Sequence, residues 1–301
     1  MTRPKRIEIV EVGPRDGLQN EVQHLSPSER ITLIEQLSDA GLVQIEAGAF
    51  VSTRWVPQMA GSDEILTALN NRPDLRLPVL VPNLKGYNNA RAAGAKEIAV
   101  FGAATETFSQ KNINCSVAAS LDRFAEVCQH AISDGIYIRG YISCVLGCPY
   151  EGKVNPAQVA SMAQRLIDMG CSEVSLGDTI GIGTADNARI LVEHCAELIG
   201  IDRISVHFHD TYGQALANIL ACIDLGVSTV DTAVGGLGGC PYAKGSAGNV
   251  ATEDVVYLLN GLGIETGINL DKLVEITKNL SQRLNHPPAS RVARAKLATL
   301  P

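Results

Sequence analysis

The chain has no clusters of Lys and Arg, and its net charge is −7, which argues against nucleic acid or an anionic membrane as a partner. It has no run approaching the roughly 18 apolar residues that span a bilayer. Met1-Thr2-Arg3-Pro4-Lys5-Arg6 passes directly into Ile7-Glu8-Ile9-Val10, with no apolar signal core or small-residue cleavage site. The end, Thr299-Leu300-Pro301, carries no organelle address. No two cysteines have CxxC spacing, and most of the eight sit in runs that read as helix or strand interiors. That usage fits a reducing compartment better than a disulfide framework. Together these absences predict a soluble, cytoplasmic protein, and an apolar content of 46% is ample for a buried core.

Short β-rich runs alternate with helix-period segments along nearly the whole length. The spacing predicts strands over 6–12, 42–47, 75–81, 96–101, 137–144, 173–178, 204–209 and 229–234. Helices are predicted over 27–40, 62–71, 86–93, 117–134, 156–169, 185–199 and 214–225, with an eighth near 251–261 and a further one over 270–284. Ser26-Pro27-Ser28-Glu29 carries the signature of a capping box, Asn155-Pro156 repeats the cap and proline, and glycines punctuate the helix ends. Eight βα units close most simply into a (β/α)8 TIM barrel with an extra C-terminal helix. An open doubly wound sheet is the alternative, weakened because no dinucleotide fingerprint follows the first strand. With no linker or low-complexity tract, residues 1–301 read as one catalytic domain.

Reactive groups in such barrels gather at the C-terminal ends of the strands, and those ends are polar here. His207 and His209 are two apart on a strand, so both face one side, toward the barrel axis if Val206 and Phe208 face the helices. Two imidazoles, with oxygens from Asp16 and Asn249, suit Mn²⁺ or Mg²⁺ better than structural zinc. A packed, hydrogen-bonded His pair is the plainer reading of the same motif. Arg15, in the bend Gly13–Gly17, either pairs with Asp16 at a turn or presents fixed donors to a developing oxyanion. Glu46 interrupts an apolar strand and needs a partner or a function. Cys240 lies in the glycine-rich run Gly235-Gly236-Leu237-Gly238-Gly239-Cys240-Pro241-Tyr242, nine residues before Asn249. It is either an inert thiol in a turn or a neutral proton donor to an enolate. Lys111 and Asn112 after strand four, with Arg139 and Tyr141 on strand five, are candidates to touch a larger substrate.

Those segments, with Ile45-Glu46-Ala47-Gly48, Lys111-Asn112-Ile113-Asn114 and Ser175-Leu176-Gly177-Asp178-Thr179, closely resemble the 3-hydroxy-3-methylglutaryl-CoA lyase family. The match runs in order from about residue 6 to 290, and the cysteine loop is its most specific motif. The Arg-Asp-Gly, strand-two glutamate and His-x-His motifs are shared more widely by the DRE-TIM metallolyases. The resemblance implies a barrel that cleaves 3-hydroxy-3-methylglutaryl-CoA to acetoacetate and acetyl-CoA with Mg²⁺ or Mn²⁺. It implies that Asp16, His207, His209 and Asn249 bind the metal, that Arg15 contacts the thioester and that Cys240 is a catalytic thiol. It further implies supporting roles for Glu46, Tyr141 and Asp178, and a homodimer. A Claisen-type synthase and a non-catalytic acyl-CoA sensor are rival readings; the cysteine loop favours the lyase over both.

Overall fold

The computed structural model describes residues 3–239 and 247–299. Eight parallel strands follow one another around a closed sheet: β1 (Glu8–Glu11), β2 (Gln44–Ile45 and Gly48–Ala49), β3 (Val79–Leu80), β4 (Glu97–Ala103), β5 (Tyr137–Ser143), β6 (Glu173–Asp178), β7 (Ile204–Phe208) and β8 (Thr229–Thr232). β8 pairs with β1, Thr232 beside Glu11, and β1 pairs with the first half of β2, Glu11 beside Ile45. The second half of β2 pairs with β3. The ring therefore closes through the interruption at Glu46 and Ala47, where Glu46 N donates to Glu11 O at 2.9 Å and Ala47 N donates to Pro78 O at 3.0 Å.

Helices α1 (Pro27–Asp39), α2 (Ser62–Leu69) and α3 (Leu84–Ala92) cover the first strands. β4 is followed by two, α4 (Glu106–Ile113) and α5 (Val117–Ser133). Then come α6 (Pro156–Asp168), α7 (Ala185–Ile199), α8 (Ala215–Leu225) and α9 (Thr252–Gly261). The extra C-terminal helix is α10 (Leu270–Leu284), joined by α11 (Arg291–Ala298), which the periodicity does not foretell. The capping box forms: Ser26 N donates to Glu29 Oε2 at 2.7 Å and Glu29 N donates to Ser26 Oγ at 3.3 Å. At the end of α1, Gly41 has φ +104°, and a Cβ there would lie 2.3 Å from Gly267 O, so both conformation and space require glycine.

The apolar core lies between sheet and helices, with Val174, Leu176, Val206, Phe208 and Val230 facing outward into it. Each such side chain contributes on the order of 1.5–3 kcal/mol by leaving water. Alternation then sends polar side chains into the barrel. At its N-terminal end Arg76 gathers Glu8, Gln44 and Glu97 at 2.6–3.1 Å. Above it come Arg139, Ser175, Ser205 and Asp231, and then the C-terminal mouth. No helix among the described residues is long and apolar enough to cross a membrane.

Candidate metal centre and active site

After β1 the chain makes one π-helical turn, Gly13–Gly17, closed by Gly17 N donating to Val12 O. This turn brings the neighbours Arg15 and Asp16 to the mouth together. Arg15 donates through Nε to Glu46 Oε2 at 2.7 Å and through Nη1 to Asp16 Oδ1 at 2.6 Å. Glu46 stands at the break in β2, fully buried, with its other oxygen unpartnered among the described residues. Burial raises the Glu46 pKa, against the pull of Arg15. Burial would also lower that of Arg15, but Glu46 and Asp16 overcome it, so the guanidinium stays charged. For Asp16, burial is outweighed by Arg15, His207 and His209, which hold the carboxyl below its ordinary range.

His207 and His209 face the barrel axis, their ring centroids 5.5 Å apart. Asp16, His207 and His209 each bring one ligating atom within 4.8 Å of the others. Asn249 pairs with His209 across an antiparallel bridge. Its Nδ2 donates to Asp16 Oδ2 at 2.9 Å and to Leu237 O at 3.1 Å, leaving Oδ1 as the remaining acceptor. His209 Nδ1 is buried with no partner among the described residues. Burial first, then His207, pushes the His209 pKa down to about 4, so the ring is neutral near pH 7. Two imidazoles grouped with an ionised carboxylate make a mixed N/O donor set that fits a divalent cation.

Tyr141 lies between the two inner guanidiniums, 5.7 Å from Arg15 and 5.0 Å from Arg139, with its ring edge-on to His207. Burial raises its pKa well above the ordinary value and keeps the phenol neutral. Asp178 ends β6 but turns back into its own loop, accepting from Gly183 N at 2.8 Å and Ile182 N at 3.3 Å. It shapes that loop and, among the described residues, makes no bond to Arg15 or Asp16. Lys111 and Asn112 are exposed on α4, with Lys111 Nζ 5.0 Å from the Tyr150 ring centroid, and make no bond to the Arg15 network among the described residues. Cys240 lies outside the described residues. On its N-terminal side Gly239 O accepts from Asn20 Nδ2 at 2.9 Å, and Leu237 O accepts the backbone N–H of Asn249 at 3.2 Å.

Several buried groups escape the sequence reading. Asp231 accepts from Arg139 Nη2 at 2.6 Å and Ser175 Oγ at 2.8 Å, and its Oδ2 lies 3.2 Å from His207 Nδ1. Arg139, a candidate substrate contact in the sequence, is also bound to Tyr141 Oη, Ser205 Oγ and Glu173, which makes it a strut within the barrel. Glu11 Oε1 accepts from both Gly13 N and Val234 N, and Oε2 from Thr252 Oγ1. Glu253 accepts from Gly235 N and from Thr277 Oγ1 of α10. The signal that exposes Glu46, a carboxylate inside a β-run, is present for Glu11 and Asp231 as well.

Residues 6–280 match the HMGL-like family. The chain belongs to that family. It is 55% identical over 294 residues to the mitochondrial hydroxymethylglutaryl-CoA lyase of Mus musculus, covering 98% of this chain and 90% of the relative. The crystal structure of hydroxymethylglutaryl-CoA lyase from Pseudomonas aeruginosa superposes with a TM-score of 0.97 at 54% identity, covering 100% of both chains. An HMG-CoA lyase from Acinetobacter baumannii, solved in complex with coenzyme A and 3-methylmalate, has a TM-score of 0.92 at 35% identity over 97% of this chain and 95% of that one. The barrel of this HMGL-like protein is thus shared across its whole length with solved lyases.

Proposed function

We propose that this chain cleaves 3-hydroxy-3-methylglutaryl-CoA to acetoacetate and acetyl-CoA in a divalent-metal-dependent retro-Claisen reaction. The observation that carries the reading is the grouping of Asp16, His207 and His209 beside the Arg15–Glu46 pair at the barrel mouth. It occurs in a chain more than half identical to a relative named for this cleavage. Asp16, His207, His209 and Asn249 would hold Mg²⁺ or Mn²⁺, which when bound supplies Lewis acidity to the substrate's tertiary hydroxyl. The hydroxyl proton passes to a base drawn from Asp16, Glu46 and His207. As the C–C bond breaks, its electron pair moves onto the acetyl thioester, where the guanidinium of Arg15 stabilises the enolate oxygen. Arg15 uses Nε and Nη1 for its two carboxylates, so Nη2 is the edge left for that oxygen. The Cys240 thiol then protonates the enolate carbon to give acetyl-CoA. Its place in sequence between Gly239 and the metal-facing Asn249 supports this role.

In the same reading Glu46, Tyr141 and Asp178 keep the site in shape, while Lys111 and Asn112 touch the CoA portion of the substrate. The functional unit is a cytoplasmic homodimer of single-domain chains. The P. aeruginosa relative named 3-hydroxy-3-isohexenylglutaryl-CoA/hydroxy-methylglutaryl-CoA lyase, 54% identical over 298 residues, makes an acyl-CoA with a longer alkenyl branch at C3 a second substrate to assay. The test is a coupled assay for acetyl-CoA and the matching 3-oxo acid (acetoacetate from the methyl substrate, its isohexenyl counterpart from the other), with EDTA, Mg²⁺, Mn²⁺ and Zn²⁺ arms and both substrates. Equal amounts of the two products, abolished by EDTA and restored by Mg²⁺ or Mn²⁺, are expected. Folded protein that releases neither product in any arm would overturn the assignment.

A further inference from the structure

Asp231 is fully buried in the middle of β8, and nothing in the proposed chemistry uses it. Its position is nevertheless over-determined. Arg139 reaches 92 residues along the chain to bind Oδ1, and Ser175 on β6 donates to Oδ2. Arg139 is itself fixed by Tyr141 Oη at 2.9 Å, Ser205 Oγ at 2.8 Å and Glu173 at 3.0 Å. Neighbouring strands therefore lock this carboxylate, and among the described residues the bond it makes toward the mouth is with His207 Nδ1 at 3.2 Å. The opposite nitrogen of that ring, Nε2, lies 3.9 Å from Asp16 Oδ2.

A carboxylate held by a guanidinium is an acceptor and has no proton to give, so the shared hydrogen must sit on His207 Nδ1. The lone pair is then on Nε2, the side that faces Asp16. We propose that Asp231 is a positioning residue that fixes the His207 tautomer and ring angle, and so sets the affinity of the metal centre. The affinity part rests on the metal reading given above; the tautomer part stands on the bonding alone. Outer carboxylates that hold a ligating imidazole typically change metal affinity by about 10–100-fold when lost.

Asp231→Asn is the informative change, because it keeps the shape. The amide oxygen can stay with Arg139, which turns the amide nitrogen toward Ser175 Oγ and His207 Nδ1. His207 Nδ1 must then accept, its proton moves to Nε2, and an N–H points where a ligand lone pair is needed. Ser205→Ala is the control: it removes one bond to Arg139 and leaves Asp231 and His207 untouched.

Two measurements decide. Nitrogen-15 NMR of metal-free wild-type protein at mildly alkaline pH, with signals assigned through His207→Gln, is expected to show the His207 proton on Nδ1. Mn²⁺ titration followed by EPR is expected to give a dissociation constant about 10–100-fold weaker for Asp231→Asn, and unchanged for Ser205→Ala. A wild-type proton on Nε2 overturns the proposal, even if the variant does not fold. So does a folded Asp231→Asn protein that binds Mn²⁺ like wild type, or a Ser205→Ala protein that weakens it equally. Wild-type protein that binds no Mn²⁺ sinks the metal reading and the affinity claim with it, while the NMR result still decides the tautomer.

Discussion

At Arg15, two carboxylates converge on one guanidinium. Asp16 faces the histidines, and Glu46 has an oxygen without a partner among the described residues beside the break in β2. Positive charge is thereby kept in a buried place where enolate charge would appear. The proposed proton donor, Cys240, is a different residue from these. Cys240→Ala is expected to lower kcat about 10²–10⁴-fold, the usual range for a general acid, with Mn²⁺ affinity close to wild type. Steady-state kinetics beside an EPR titration would check it; parallel loss of both would make the thiol structural. Asp16, Glu46, His207 and His209 are legible in the sequence because polar residues at strand ends, and a charge inside an apolar strand, are locally anomalous. Asp231 and Arg139 are harder to read. Their meaning lies in a bond across 92 residues, and each alone resembles a solvated position on a half-buried strand.

Two short segments lead to the proposed reacting groups, the π-helical turn at Gly13–Gly17 and the turn that begins at Val234, and Glu11 joins them through the amides of Gly13 and Val234. The second turn is also gripped from outside the barrel. Gly235 N donates to Glu253, and Gly235 O accepts from Ala289 N and Ser290 N at 2.9 and 3.1 Å. α11 belongs to this clamp: Asp254 accepts from Ser290 Oγ, Arg291 N and Val292 N at its start. Burial pushes the Glu11 pKa from 4.5 to about 8, so between those values the folded chain holds a proton that the unfolded chain has released. Its contribution to stability is therefore full below about pH 4.5 and lost as pH rises through about 8. Glu11→Gln keeps both amide bonds and can donate to Thr252. It should remove part of the alkaline loss of stability, on the order of a few kcal/mol at about 1.4 kcal/mol per pKa unit. Urea unfolding at mildly acidic and mildly alkaline pH would show it; an undiminished alkaline loss would refute the assignment. The long amphipathic helices and strands are readable from periodicity alone. α11 and the π-helical turn are not, because one is short and capped by a distant carboxylate and the other is set by Glu11 and Val12.

Across the whole molecule, the barrel divides its chemistry by side. Apolar groups face the helices, and charged groups fill the inside in paired tiers from Arg76 to Asp16. The eightfold cadence of the sequence is enough to foresee this architecture, but which interior charge meets which depends on strand register and closure. A cation joined to Asp16, His207, His209 and Asn249 would tie β1 to β7 and to the segment after β8, and should stabilise the fold by mass action. At a hundred times its dissociation constant the gain is about 2.7 kcal/mol, a rise in Tm on the order of 5 °C for a chain of this size. Thermal unfolding with Mn²⁺ and then with excess EDTA would read the rise and its reversal; identical melting curves would mean the folded state does not bind the ion. Asp16 meets Asn249 across 233 residues, and the turn at Gly235 is completed only by residues 289 and 290. Chain growth on the ribosome therefore delivers the two halves of the pocket at opposite ends of synthesis. Helices and neighbouring strands can assemble as they emerge, but the pocket must wait for a closure across 233 residues. A nascent chain can thus carry much of the scaffold before it carries both sides of the pocket.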